Sequence, residues 1–247
     1  MSRQRLGQHY LIDSGVVEEI ISAAKIKPDE RVLEIGTGRG ALTRELARLG
    51  SSLEGYEVDE ENLAVTIGEL GTKSAVIHLG DAFKETPRFD VLVSSLPYSR
   101  SANFIEWISQ VEYDRAVVLL QEDFVAKVLA VPGARNYRAV SVVGQVSSEF
   151  RVLMRVGRKA FSPPPRINSV LVLVRPKRRL TRAEILWIKR LFSLRRREVA
   201  SAAAELGMVL PRTLLRRRRV YSLTPDEVLD IRPSAQAQLD LRKVILC

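Results

Sequence analysis

Through the first 120 residues, short apolar runs alternate with stretches whose apolar positions recur at helical spacing. RVLEI at 31–35 reads as a strand that stops at a glycine cluster. Ala41, Leu42, Leu46 and Leu49 then repeat helically until Gly50. SLEGYEVD at 52–59 predicts a second strand ending in acids, 59–70 a helix, and SAVIHLGDAF at 74–83 a third strand and its loop. FDVLVSSLPYSR at 89–100 reads as a fourth strand running into a proline loop, SANFIEWISQV as a helix and RAVVLL at 115–120 as a fifth strand. This alternation predicts an α/β fold, a mostly parallel sheet with helices on both faces. Such sheets bind ligands beyond the carboxyl ends of their strands.

After residue 121 the rhythm loosens. Helical patterns at 122–130 and 137–147 flank the turn-forming VPGARN. FRVLMRV and SVLVLVRP, either side of FSPPPRIN, predict a hairpin-like pair that closes the sheet with an antiparallel edge. Beyond Pro176 two helices are expected, the first opened by a capping box of Thr181 and Glu184. Shorter helices are expected at 211–217, 225–230 (capped by Thr224 with Pro225 next) and 235–245. The expected division is 1–178 and 179–247.

Charge sharpens this division. Residues 1–150 carry 16 Lys and Arg against 22 Asp and Glu, whereas 151–247 carry 23 against 7, so nets of -6 and +16 make the total of +10. The basic third is expected to face a polyanion, for which arginine's rigid fork is suited. An arginine-rich solvated surface of a heat-adapted protein is the alternative. Cys247 is the single cysteine and His9 and His78 the only histidines, which rules out an internal disulfide and a cysteine-based zinc site and leaves no metal expected. No apolar run approaches membrane-spanning length and the N-terminal segment lacks a signal-peptide pattern, so a soluble cytoplasmic protein is expected.

Gly36, Gly38 and Gly40 alternate through GTGRG between a strand and a helix, a turn that lets a ligand approach the backbone. The spacing is GxGxG, not the GxGxxG of dinucleotide folds. Glu57, ending the second strand, can take both hydroxyls of a ribose, and Asp81, after the third, can accept from an amino group of the same ligand. A nucleoside with a cationic or neutral tail suits these acids better than a pyrophosphate, and S-adenosylmethionine meets that description. Solvated strand-end acids beside ordinary turn glycines would be the bland alternative.

Ser95-Leu96-Pro97-Tyr98 follows the fourth strand. Pro97 fixes its own φ and restricts Leu96 to extended conformations, which aims the neighbouring carbonyls. Such a loop can accept the protons of an exocyclic amino group, with Tyr98 stacked on the base. Methyl transfer to an aryl amine needs that positioning more than it needs a strong base.

Together these residues resemble the small-subunit ribosomal RNA adenine dimethyltransferases, the family of the bacterial kasugamycin-resistance methylase, and point to an archaeal-type member. Gly7-Gln8-His9-Tyr10-Leu11-x-Asp13 resembles the family's opening segment, Glu34 to Gly40 its cofactor loop and Gly80-Asp81-Ala82-Phe83 its adenine-reading segment. Phe161-x-Pro-x-Pro165-x-x-x-Ser169 is similar to a further signature whose phenylalanine stacks on the target base, and Phe192-Ser-Leu-Arg-Arg196 to a helical-domain segment. The family usually reads Asn-Leu-Pro-Tyr where this chain has Ser95, which offers a hydroxyl in place of an amide carbonyl. Cytosine-N4 methyltransferases use Ser-Pro-Pro-Tyr.

The resemblance implies a Rossmann-like class I methyltransferase fold with a small basic helical domain. It implies transfer of methyl groups from S-adenosylmethionine to N6 of two adjacent adenosines near the 3′ end of small-subunit rRNA, in a pre-30S-type particle, by a monomer. Cofactor binding falls to Gln8, His9, Leu11, Gly36, Gly38, Gly40, Glu57, Asp81, Ala82 and Ser95. Ser95, Leu96, Pro97, Tyr98 and Phe161 would hold the target base. Arg195, Arg196, Arg197, Arg216, Arg217, Arg218 and Arg219 would grip RNA phosphates. Two alternatives stay open: an assembly factor with weak or no methyl transfer, and an adenine methyltransferase acting on another rRNA site.

Overall fold

The computed structural model describes residues 9–70, 75–211, 214 and 217–234. Gln8, Arg216 and the expected helix at 235–245 lie outside the described residues. The chain divides into two compact units. The first is Met1–Trp107, Val111–Val125 and Glu149–Pro176, and the second is Ile108–Gln110, Ala126–Ser148 and Lys177–Cys247. A single cut at 178 misses this because residues 126–148 belong with the second unit.

The first unit is built on a seven-stranded sheet. Its strands are β2 (Arg31–Ile35), β3 (Ser52–Glu57), β4 (Ala75–Leu79), β5 (Val91–Ser95), β6 (Arg115–Gln121), β7 (Ser148–Val156) and β9 (Ser169–Pro176), in the order β4-β3-β2-β5-β6-β9-β7. Neighbours from β4 to β6 pair in parallel. β9 runs antiparallel to β6, and β7 closes the edge beyond it, so the expected pair lies at the sheet's end. The central strand β5 opens with Val91, Leu92 and Val93, all fully buried, as burial on both faces requires.

A separate two-stranded pair joins β1 (Tyr10–Leu11) to β8 (Phe161–Ser162), with Leu11 opposite Phe161. Helix α1 (Ser14–Ala24) begins where the Asp13 side chain accepts from the Val16 N–H, and it buries Val17, Ile20 and Ala24. Arg115 donates to the carbonyls of Ala24 and Lys25 and to both oxygens of Glu30, which ties the end of α1 to the foot of β6. Helices α2 (Ala41–Arg48), α3 (Glu60–Leu70) and α4 (Ser101–Ile108) connect successive parallel strands, and α5 (Glu122–Val128) follows β6.

The second unit is mostly helical. Its α6 (Ala139–Ser147), α7 (Arg182–Ser193), α8 (Val199–Leu206) and α9 (Pro225–Asp230) surround Tyr137, whose buried ring meets Phe192 edge-on and whose hydroxyl donates to the Leu223 carbonyl at 3.0 Å. The capping boxes of Thr181 with Glu184 and Thr224 with Glu227 both form. The helix expected at 211–217 lies mostly outside the described residues; Pro211, Leu214 and Arg217, which are described, are not helical. A small antiparallel pair, Met208–Val209 with Arg232–Pro233, precedes and follows that segment.

Candidate active site

The parallel strands of the first unit deliver their loops to one cavity of about 440 Å³. Gly36, Gly38 and Gly40 all have positive φ, between 55° and 78°. At Gly36 a Cβ would lie 3.4 Å from Pro97 and at Gly38 3.4 Å from Tyr10, ordinary contact distances, so it is the positive φ that calls for glycine in this stretch of cavity wall. Gly40 instead caps α2 and does not border the cavity.

Glu57, at the end of β3, is 4% exposed and fixed by three backbone donors. Gly38 N–H reaches Oε2 at 2.8 Å, and the N–H groups of Val58 and Asp59 reach Oε1 at 2.9 and 3.0 Å. Burial pushes its pKa up, and the three N–H bonds partly oppose that. The carboxylate is therefore pre-aimed, with a spare lone pair on Oε2.

Asp81, after β4, accepts from Phe83 N–H at 3.1 Å and caps the 3₁₀ turn Ala82–Lys84. His9, Leu11, Gly36, Gly38 and Glu57 share the cavity with Asp81, Ala82, Ser95, Leu96 and Pro97. His9 is fixed through Nδ1, 2.7 Å from the Pro163 carbonyl. Ser95 Oγ makes no hydrogen bond among the described residues, and Leu96, also in the cavity wall, is 3% exposed.

Tyr98 stands beside this wall, not in it. It opens the 3₁₀ turn Tyr98–Arg100, its ring lies 5.3 Å from that of His9, and its hydroxyl is 2.6 Å from Ser169 Oγ. Burial raises the phenol's pKa, and the Ser169 bond acts against that. Ser169, the last residue of the FSPPPRINS motif, thereby gains a role that its sequence context alone did not suggest. Phe161 is a correction. The β1–β8 pairing turns Phe161 inward and Ser162 outward, so its ring is 3% exposed among core residues and does not reach the cavity.

Glu34, Asn62, Arg39 and Arg100 also border the cavity. Glu34 is 1% exposed, its Oε2 has no partner among the described residues, and burial, reinforced by the Glu57 charge, pushes its pKa to about 8. Asn62 Oδ1 accepts from the Tyr10 hydroxyl at 3.1 Å, leaving a buried Nδ2 unpartnered among the described residues. Arg39 lies over the Tyr10 ring at 4.6 Å, and Arg100 reaches Asp81. A cavity lined by a glycine turn, three carboxyls and an amide unpartnered among the described residues fits a nucleoside with a charged tail.

The arginine run of the second unit splits into two groups. Arg197 pairs with Glu205, and Arg218 pairs with Glu227 through both carboxylate oxygens while also meeting the Ser222 carbonyl. Arg195, Arg196 and Arg219 instead border a surface depression of about 560 Å³ together with Arg135 and Tyr221. Burial and then the charges of Arg138 and Arg196 push the Arg195 pKa down, as expected of crowded cations. Arg217 is exposed. Arg195–Arg197 lie in the turn between α7 and α8, not on a helix.

His78 stacks on Tyr56 at 4.8 Å and sits 3.2 Å from Glu54, a strand-surface role. Among the described residues, no cluster of three His, Cys, Asp or Glu could hold a metal, and no helix is long and apolar enough to cross a membrane.

Comparison with known proteins agrees with this geometry. The family described as ribosomal RNA adenine dimethylase matches residues 1–231. A "Probable ribosomal RNA small subunit methyltransferase A" from the archaeon Pyrococcus abyssi is 35% identical over 240 residues, covering 92% of this chain and 89% of the relative. The crystal structure of a dimethyladenosine transferase from Plasmodium falciparum superposes with a TM-score of 0.77 at 25% identity, covering 95% of this chain and 98% of that one. The 23S rRNA methyltransferase ErmE shares the fold, with a TM-score of 0.62 at 21% identity over 90% of this chain and 97% of that one. The sheet is thus that of a Rossmann-like class I methyltransferase, and the chain belongs to the ribosomal RNA adenine dimethylase family.

Proposed function

We propose that this protein transfers methyl groups from S-adenosylmethionine to N6 of two adjacent adenosines near the 3′ end of small-subunit rRNA. It acts in the cytoplasm, as a monomer, on a pre-30S-type particle. The observation that carries the reading is the single cavity shared by the glycine loop, Glu57, Asp81 and the Ser95–Pro97 loop. A ribose-binding acid and an amine-accepting loop thereby stand on adjoining walls.

When bound, the cofactor supplies an electrophilic methyl group on a sulfonium. The chain itself binds and aims. Glu57 would accept from the ribose hydroxyls through the lone pair left on Oε2, Asp81 would accept from the adenine amino group, and Gly36 and Gly38 would admit the tail against the backbone. His9, Leu11 and Ala82 complete the walls, and Gln8 belongs to the same segment. On the substrate side, Tyr98 stacks on an extruded adenine, and Ser95 Oγ with the carbonyls before Pro97 accepts the N6 protons. Those bonds would hold the N6 lone pair out of conjugation with the ring and available to an electrophile, and the proton lost from N6 would leave to solvent. Arg195, Arg196 and Arg219 grip the RNA backbone. Arg197 and Arg218 hold the second unit together through their glutamates.

Ser95 favours a second reading, an assembly factor that methylates poorly, because a hydroxyl reaches less far than an amide carbonyl. Primer extension across the 3′ end of small-subunit rRNA decides between them. Cells lacking the host dimethylase and supplied with this chain are expected to show stops at two adjacent adenosines. Unblocked extension with normal subunit binding would refute methyl transfer at that site.

A further inference from the structure

Arg100 follows the substrate loop in sequence, yet its side chain is directed to the opposite wall. Its Nη2 donates to Asp81 Oδ2 at 2.5 Å, and its guanidinium lies 5.0 Å from the centre of the Phe83 ring. That ring is itself held edge-on by Trp107 at 5.6 Å. The pair is partly withdrawn from water, the Arg100 side chain being 36% and Asp81 23% exposed. The other Asp81 oxygen is taken by the Phe83 N–H. Each oxygen therefore has one fixed donor and one remaining acceptor direction, and the carboxylate cannot turn without losing both bonds.

We propose that Arg100 is a positioning residue for cofactor specificity, clamping Asp81 as an acceptor for the 6-amino group of adenine and tying the Ser95–Pro97 loop to the base end of the cavity. The inference rests on the cofactor reading above. A carboxylate fixed in this way accepts from an amino group and repels a 6-oxo group, so it separates adenine from hypoxanthine by lone-pair direction alone. Lysine would keep the charge but not the planar fork that both stacks on Phe83 and meets the carboxylate.

Calorimetric titration with S-adenosylhomocysteine and S-inosylhomocysteine tests this without turnover. The wild-type chain is expected to prefer the adenine ligand. Arg100→Ala should lower that preference about tenfold, the scale of one charge-assisted hydrogen bond. Arg100→Lys should recover part of it, and Arg100→Ala should cost little more once Asp81→Asn is present, since the two act as one unit. An unchanged preference in Arg100→Ala overturns the proposal. So does an equal loss for both ligands with no recovery in the lysine variant, which marks a merely structural residue. If the wild-type chain binds neither ligand, the cofactor reading itself fails.

Discussion

Glu34 offers the clearest link between burial and a measurable free energy. Its carboxyl borders the cavity from inside β2, almost fully buried, with one oxygen unpartnered among the described residues. Its pKa stands at about 8 against an ordinary 4.5. Between those values the folded chain holds a proton that the unfolded chain has released, so stability falls as pH rises. The raised acid contributes no penalty below pH 4.5, and its penalty is complete above about 8. Across the whole window the penalty amounts to about 5 kcal/mol, accumulating at about 1.4 kcal/mol per pH unit.

Glu34→Gln keeps the shape and removes the titration. Urea unfolding of both proteins from pH 5 to 9 should show the variant gaining on the wild type at about that slope, then levelling above pH 8. A stability difference that stays constant over the range would refute a protonated, buried Glu34 and with it the desolvated character of the cavity wall.

Three further outcomes follow from the same geometry. Glu57→Ala removes the acceptor held by Gly38, Val58 and Asp59, and should weaken S-adenosylhomocysteine binding at least about tenfold; unchanged calorimetry would cancel the ribose assignment. Ser169→Ala frees the Tyr98 hydroxyl and should slow methyl transfer severalfold, about 1 kcal/mol, while cofactor affinity stays put, and adding Tyr98→Phe should change little more. A large drop in cofactor affinity would contradict this. Replacing Arg195 and Arg196 together with serine should reduce the salt dependence of RNA binding by about two counterions, whereas Arg197→Ser and Arg218→Ser should lower thermal stability with little change in slope. Equal slopes for both pairs would remove the distinction drawn from their glutamate partners.

How much of this was legible in the sequence depends on how local each feature is. The order of the sheet strands and their helices, the glycine turn, the Thr181–Glu184 capping box and the Thr224 cap are set within a few residues, and apolar spacing and cap chemistry revealed them. Features that join distant segments were not legible. Phe161 points inward because its strand pairs with Leu11, 150 positions away, a pairing that two short apolar dipeptides do not announce. Ser169 meets Tyr98 across 71 residues, and Arg100 reaches back 19 to Asp81. The arginine run looked uniform because composition counts charges, whereas Glu205 and Glu227 decide which of them are already neutralised. Residues 126–148 read as a continuation of the first unit, since helical periodicity does not say which core a helix enters.

The most direct test is transfer of labelled methyl from S-adenosylmethionine to small ribosomal subunits that lack the adenosine methylations, followed by nucleoside analysis. We expect labelled N6,N6-dimethyladenosine, lost when Tyr98 is changed to alanine. No transfer by a chain that still binds both cofactor and subunit would contradict catalysis at this cavity and turn attention to Ser95.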